Sequence, residues 1–360
     1  MSDAVLVTGA FGMVGSQTVR RLAAEGRTVV ATDLDNPANR RAAATLPTGV
    51  TIRYADLTDP AAADELVTEV APHAIIHLAA IIPPFCYLRR ELARKVNVGA
   101  TANLLAAAER QAAPPRFIQA SSIAVYGARN PHTISDLLTA QTPVNPSDIY
   151  GQHKVEAEAL VRGCGLSWVI LRLGGVLTSQ PSMQTDRNLL LFEGVLPADG
   201  RLQTVDVRDV ASAFAAATTS PEAVGQTLLI GGDDTHRQFQ GQIAAATTAA
   251  MGVGPLTPPG RPGNPADDAA WFATDWMDTR PAQDILGHQH HSWPQTLADT
   301  RTFIGIKRWP LKLAAPLARW YFAKNNVYQG VPGPYADLWN TIRATWGEPG
   351  PDAGPTVSPK

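Results

Sequence analysis

The chain has 360 residues, 45% of them hydrophobic, and 30 Lys and Arg against 32 Asp and Glu give a formal net charge of -2. That length holds one large domain or two modest ones, and the balanced charge argues against a nucleic-acid-binding surface as the main business. Cys86 and Cys164 are the only cysteines, which leaves no disulfide framework and no zinc cluster, so a reducing, cytoplasmic setting is expected. No signal-type segment opens the sequence and no apolar run reaches the length of a membrane span.

Residues 4–7 form a short apolar strand, and residues 14–24 place Val14, Val19, Leu22 and Ala23 on one side of a helix. Between them lies Thr8-Gly9-Ala10-Phe11-Gly12-Met13-Val14-Gly15. The three glycines suit a tight turn, close backbone approach to a pyrophosphate, and tight helix-on-strand packing. Free N–H groups at the helix start would face the phosphates. Strand-like and helix-like stretches then alternate. Strands are expected at 28–32, 50–54, 74–78, 116–120 and 168–173, with helices at 60–70, 92–111 and 150–162. This pattern predicts an α/β, Rossmann-type doubly wound parallel sheet.

The expected boundaries are a cofactor domain over 1–175, rejoined by a strand and helix at 203–232. A smaller substrate-binding region takes 176–202 and 233–345, and 346–360 is read as a disordered tail. Proline and glycine dominate 252–265, which reads as a linker or long loop.

Asp33 ends the second strand, where a carboxylate accepts from both hydroxyls of an adenosine ribose; this favours NAD over NADP. Arg40 and Arg41 keep NADP as the lesser reading, and Asp56 is a weaker candidate for adenine. Tyr150 and Lys154, four apart on a helix, share one face. A nearby ammonium stabilises a phenolate, which makes the tyrosine an acid/base candidate. Ser122 follows the fifth strand at the carboxyl edge, placed to donate to a substrate oxygen while hydride passes to or from the nicotinamide.

Together with Asp56-Leu57, His77-Leu78-Ala79-Ala80, Asn97-Val98, Ser121 to Gly127 and Tyr150 to Lys154, these motifs resemble the extended short-chain dehydrogenase/reductase family, also called the NAD-dependent epimerase/dehydratase family. Coverage is roughly residues 3 to 232, with an echo from Asp278 to Gly287. The resemblance implies Tyr150 as acid/base, Lys154 as its activator and ribose ligand, and Ser122 as oxygen donor. It also implies Asn97 near the active-site end of its helix, serving both catalysis and cofactor. Gly9, Phe11, Gly12, Met13, Gly15, Asp33, Asp56, Leu57, Leu78, Ala79 and Ala80 are the other expected cofactor contacts. Family members often dimerise through a helix pair, which here would include the Tyr150 helix.

The departures bear on substrate. Nucleotide-sugar members usually carry an asparagine after the sixth strand, whereas this chain reads Gly174-Gly175-Val176. The loop after the fourth strand, Ile81 to Tyr87, is apolar where sugar enzymes are polar. Ile82, Pro83, Phe85, Tyr126 and Gly175 are therefore expected to meet a rather apolar hydroxyl or carbonyl compound. The alternative is a nucleotide-sugar epimerase or dehydratase with tightly held NAD. An inactive NAD-sensing or structural subunit is a third, lesser reading.

His288, His290 and His291 lack the partners of a metal site, so no metal is expected. His153 is given no role, and nothing beside Cys86 activates its thiol. Asp206 and Asp209 read as structural, with Arg201 or Arg208 as substrate contacts in reserve. The basic and aromatic stretch 307–324 suits either a lipid surface or a helix packed on its own domain or on a partner subunit, the second being preferred, and Pro316 should interrupt any long helix there.

Overall fold

The computed structural model describes residues 3–181, 186–254 and 260–352. Ten strands run in chain order. They are β1 (Ala4–Thr8), β2 (Thr28–Asp33), β3 (Thr51–Tyr54), β4 (Ala74–His77), β5 (Arg116–Ser122) and β6 (Trp168–Leu173). After these come β7 (Gly175–Leu177), β8 (Arg201–Asp206), β9 (Thr227–Ile230) and β10 (Arg237–Phe239). Seven make one sheet in the order β3-β2-β1-β4-β5-β6-β9, and each neighbouring pair is parallel. A second sheet of three strands, β10-β8-β7, adjoins it.

Side-chain alternation on β1 explains the two-sided core. Val5 and Val7 face one layer with Val19 and Leu22 of α1 (Met13–Ala24). Ala4 and Leu6 face the opposite layer. The flanking helices on the way are α2 (Pro37–Ala43), α3 (Pro60–Val70), and two short ones, α4 (Phe85–Leu88) and α5 (Arg90–Arg94). Next come α6 (Ala100–Glu109) and α7 (Ile149–Gly163). Leu66 and Val67 of α3, Leu104 and Leu105 of α6, and Val161 of α7 fill the layer that Leu6 faces. The sheet is thus covered on both sides, as a parallel sheet must be.

The remaining helices are α8 (Arg187–Val195), α9 (Val207–Ala217), α10 (Gln240–Ala250), α11 (Arg280–Leu286), α12 (Trp293–Ile304), α13 (Arg308–Lys324) and α14 (Leu338–Trp346). Val210 and Phe214 of α9 return to the sheet beside α1. Phe192 and Val195 of α8, Tyr328, and Ile342 and Trp346 of α14 form a separate aromatic core with Cys86, Tyr87 and Ile149.

Three expectations need correction, and the long loop expected over 252–265 is sharpened. The helix expected over 92–111 carries a π turn at Lys95–Gly99, between α5 and α6. The described part of the 252–265 stretch is docked: Arg261 O accepts from Ala198 N at 2.8 Å, and Gly263 N donates to Asp199 Oδ1 at 2.7 Å; residues 255–259 lie outside the described set. The expected disordered tail begins as ordered chain. Pro349 O accepts from Ile149 N at 2.8 Å, and Arg90 binds the carbonyls of Glu348 and Gly350 and the carboxylate of Asp352; only 353–360 fall outside the description. Finally, α13 runs through Pro316 without stopping.

Candidate active site

The turn after β1 is shaped by close approach. Gly9 has φ +62°, and a Cβ there would lie 2.7 Å from Ala79 N. A Cβ on Gly15 would lie 2.1 Å from Gly9 O, so this glycine lets α1 sit against the turn. Gly12 differs. A Cβ on it would meet only Gly9 O at 3.4 Å, so the chain itself does not demand glycine there. The start of α1 has no side-chain cap, which leaves its N–H groups for an anion. These residues fit the diphosphate of a dinucleotide.

Asp33, at the end of β2, borders the turn. Its Oδ2 accepts from Phe11 N at 3.4 Å, and Oδ1 accepts from Leu34 N at 2.8 Å and Asn39 Nδ2 at 3.1 Å. Burial lifts its carboxyl above the ordinary value despite these bonds. Asn39 is a positioning group that sequence reading missed. Arg40 is engaged with Asp35, Nε to Oδ1 at 2.5 Å and Nη2 to Oδ2 at 2.7 Å; Arg41 is exposed. Phe11 packs on Tyr54 with ring centroids 5.9 Å apart, and Met13 is exposed beside it.

Asp56 is exposed and accepts from the backbone and hydroxyl of Thr58, whereas the Leu57 side chain is buried in the core. Thr8 Oγ1 accepts from Leu78 N at 3.2 Å and Ala79 N at 3.4 Å. Thr8 also meets His77 Nδ1 at 2.8 Å. These bonds fix the strand end that carries Leu78, Ala79 and Ala80. Burial pushes His77 down to about 3, so it is a neutral ring.

Ser122, Tyr150 and Lys154 converge. The Ser122 hydroxyl accepts from Ala124 N at 3.2 Å and is close enough to the Tyr150 phenol to pull its pKa down. Lys154 Nζ lies 5.6 Å from the Tyr150 ring centroid and donates to Ala120 O at 2.8 Å. Burial pushes the lysine down to about 8, against the pull of Glu158. Burial, then Cys86 and Asp148, hold the phenol above its ordinary value, and the nearby Ser122 hydroxyl offsets part of that.

Neighbouring groups lock this set. Asp148 caps α7, accepting from Gly151 N at 2.8 Å and from the Tyr87 hydroxyl at 2.5 Å. Ser121 turns away from Tyr150 and donates to Glu158 at 2.5 Å. Arg172 grips that carboxylate with two bonds, at 2.8 and 2.7 Å. Neither Asp148 nor the Glu158–Arg172 pair was found by sequence reading. The cap pattern before Tyr150 was the available signal for Asp148.

Asn97 is not at a helix end but inside the π turn. Its amide accepts from Ile81 N at 2.7 Å and donates to Ile81 O at 2.9 Å, so it clamps the loop after β4. His153 Nδ1 lies 3.5 Å from Asn97 Nδ2, and burial pushes this histidine down to about 4.

The five substrate candidates separate. Ile82 is exposed, and Pro83 and Phe85 are half-buried. Cys86 and Tyr87, expected on the same loop, instead sit in α4 and are buried in the aromatic core. Tyr126 has no free group to offer. Its hydroxyl donates to Thr139 O and accepts from Arg172 Nη1, each at 2.7 Å. Gly175 is half-buried at the start of β7, and a Cβ there would touch Leu202 at 3.0 Å. The reserve arginines are also committed: Arg201 and Arg129 to buried Asp275, and Arg208 to Asp206 and Asp299. Asp209 takes His290 N, His291 N and the His291 ring. His288 points elsewhere, to Gly231 O. Among the described residues no cluster of His, Cys, Asp or Glu has metal-holding geometry.

The chain is similar to several known proteins. The D-erythronate dehydrogenase of Haemophilus influenzae is 30% identical over 161 residues, 44% of this chain and 48% of that one. UDP-arabinose 4-epimerase 1 of Arabidopsis thaliana is 31% identical over 189 residues, 49% and 44% of the two chains. The chain thus spans about half the length of the curated relatives it matches. The fold is that of the Thermus thermophilus UDP-glucose 4-epimerase solved with NAD, with a TM-score of 0.69, 22% identity, and coverage of 84% and 98%. Residues 5–231 match the model of the NAD dependent epimerase/dehydratase family, and the chain belongs to that family.

Proposed function

We propose that this site uses NAD to oxidise a secondary hydroxyl of a nucleotide sugar and reduce it again from the other side, with no net consumption of cofactor. The carrying observation is the buried Lys154, one turn after Tyr150 on α7, with its Nζ 5.6 Å from the centroid of the phenol ring and bonded at 2.8 Å to Ala120 O, two residues before Ser122. NAD supplies the hydride acceptor when bound, held by the Gly9–Gly15 turn and by Asp33. The chain's own residues handle orientation and the proton. Ser122 donates to the substrate oxygen, and Tyr150 takes the proton as the carbonyl forms and returns it when the hydroxyl is restored. Lys154 sets the charge beside the phenol, while Glu158 and Arg172 keep Ser121 and the end of β5 in place.

The nucleotide-sugar assignment draws support from the curated relatives, which include UDP-sugar 4-epimerases. It displaces the apolar alcohol as first reading. A second reading keeps net oxidation of an apolar alcohol. It is favoured by exposed Ile82 at the mouth, by Gly174-Gly175 where an asparagine was expected, and by a relative that is a dehydrogenase. Incubating the protein with NAD and UDP-sugars separates the two. Epimer without NADH accumulation supports the first; NADH accumulating with secondary alcohols, and no epimer, overturns it.

A further inference from the structure

The α13 helix inverts the usual arrangement of a surface helix. An amphipathic helix normally turns its apolar stripe to the core and its charges to water. Here the only buried residue of the helix is Ala315. Trp309, Leu313, Leu317 and Trp320 recur at intervals of four and three, so they lie on one stripe, and Ile306 extends it by a turn. That stripe is on the side away from Ala315. Leu313 and Ile306 are each 83% exposed and Trp309 is 72% exposed. Packing of these apolar residues on their own domain is therefore excluded, which leaves the partner-subunit and lipid-surface readings of this stretch.

Charge indicates what covers the stripe. Residues 300–336 contain Arg301, Lys307, Arg308, Lys312, Arg319 and Lys324 and no Asp or Glu, in a chain whose net charge is -2. Arg308 and Lys312 have no carboxylate partner among the described residues. With Gly252, Gly305 and Trp309 they line a hollow of about 280 Å³ on the flank of the stripe. The two tryptophans, with Tyr321 beside the second, suit the boundary between headgroups and acyl chains, where an aromatic body is buried and its polar edge stays wet. A second copy of this chain fits poorly, because a two-fold contact through α13 would set the same cations against each other. No helix among the described residues is long and apolar enough to cross a membrane.

We propose that α13 docks the protein on the surface of an anionic bilayer. The Trp309–Trp320 stripe enters the interface, and Arg308 and Lys312 receive acidic headgroups in the adjacent hollow. The helix lies in the plane of the surface rather than spanning it. Its carboxyl end leads through Val327 and Tyr328 into the aromatic core that also touches Tyr150, so docking holds the cleft near the membrane. This inference does not depend on which substrate is turned over.

The test is co-sedimentation of the full chain with vesicles of phosphatidylcholine alone or of phosphatidylcholine with phosphatidylglycerol. Wild type should pellet with the phosphatidylglycerol vesicles, at least about tenfold more than with phosphatidylcholine, and added salt should release it. Leu313→Glu with Leu317→Glu should abolish pelleting, and Trp309→Ser alone should weaken it. Circular dichroism and NAD binding of each variant confirm that these exposed changes leave the fold intact. No pelleting of wild type, equal pelleting on both vesicle types, or undiminished pelleting of the double variant overturns the proposal. So does sedimentation equilibrium showing a vesicle-free dimer that the double variant loses, since that outcome assigns the stripe to a second copy.

Discussion

Two regions that meet at Tyr150 are held by different forces. At the cofactor end, backbone groups and missing side chains set the shape. Gly9 lies against Ala79, Gly15 against Gly9, and Asp33 is tied by two backbone N–H groups. On the other side of Tyr150, aromatic side chains from distant segments pack together: Tyr87, Phe192, Phe272, Tyr328, Trp339 and Trp346. Backbone geometry tolerates little change, whereas a packed aromatic cluster can be rebuilt at similar volume. The difference teaches why one hydride-transfer end can serve many substrates. On the proposed function, chemistry rests on the backbone-set half and selectivity is expected in the aromatic half.

The comparison predicts its own sharpest break at the seam. Tyr150→Phe removes one hydroxyl and should lower turnover by as much as about 10⁴-fold, roughly 5 kcal/mol. NAD binding, followed by quenching of tryptophan fluorescence, should stay within about twofold, because the Gly9–Gly15 turn is untouched. Turnover that survives the change would remove Tyr150 from the proton path.

Next in size is Trp346→Ala. The ring is buried, donates from Nε1 to Asn188 Oδ1 at 3.0 Å, and meets Phe192 with centroids 5.7 Å apart. Truncation should cost about 3–5 kcal/mol in urea unfolding, while the isolated loss of NAD affinity in the folded fraction should be small. If cofactor affinity falls as far as stability does, the two ends are not separate.

Asp148 joins the ends, since it caps the Tyr150 helix and accepts from Tyr87. Burial lifts its carboxyl to about 6. A folded-state value above the unfolded one means that protonation favours the fold. That contribution is full below about pH 4 and lost as the pH rises through about 6, amounting to at most about 3 kcal/mol. Asp148→Asn keeps an acceptor for Gly151 N but cannot ionise. Its stability relative to wild type should therefore rise between about pH 4 and pH 7. A constant difference across that range would show that Asp148 does not titrate with folding.

How much of this was legible follows the same divide. Gly9, Gly12, Gly15 and Asp33 occupy one strand–turn–helix unit and the strand beside it, and Tyr150 and Lys154 share one helix face, so local spacing reveals them. The buried partners do not reveal themselves that way. Glu158 and Arg172 are 14 residues apart and meet through a helix packed on a strand. Tyr87 reaches Asp148 across 61 residues. Composition misled at the chain's end, because Arg90 binds the carbonyls there, a backbone feature invisible in a Pro/Gly-rich string. Pro316 misled as well. Its lost hydrogen bond falls within an exposed helix, where water can satisfy the freed carbonyl.

The smallest effect tests whether the cofactor end selects its ligand or only holds its shape. Asp33 already accepts from Phe11, Leu34 and Asn39, so its removal disturbs the loop as well as any ribose contact. If the carboxylate also accepts from ribose hydroxyls, Asp33→Ala should weaken NAD by about tenfold more than NADP, roughly 1–2 kcal/mol. Asn39→Ala provides the control, since it loosens the same loop and keeps the charge; it should weaken both cofactors alike. Because burial raises the Asp33 carboxyl, the preference for NAD in the wild type should also fade on acidification sooner than an exposed aspartate would allow. Equal losses of NAD and NADP in Asp33→Ala, matching those in Asn39→Ala, would reduce Asp33 to a brace for the turn. Cofactor choice would then have to lie with Arg41, which remains exposed beside the Arg40–Asp35 pair.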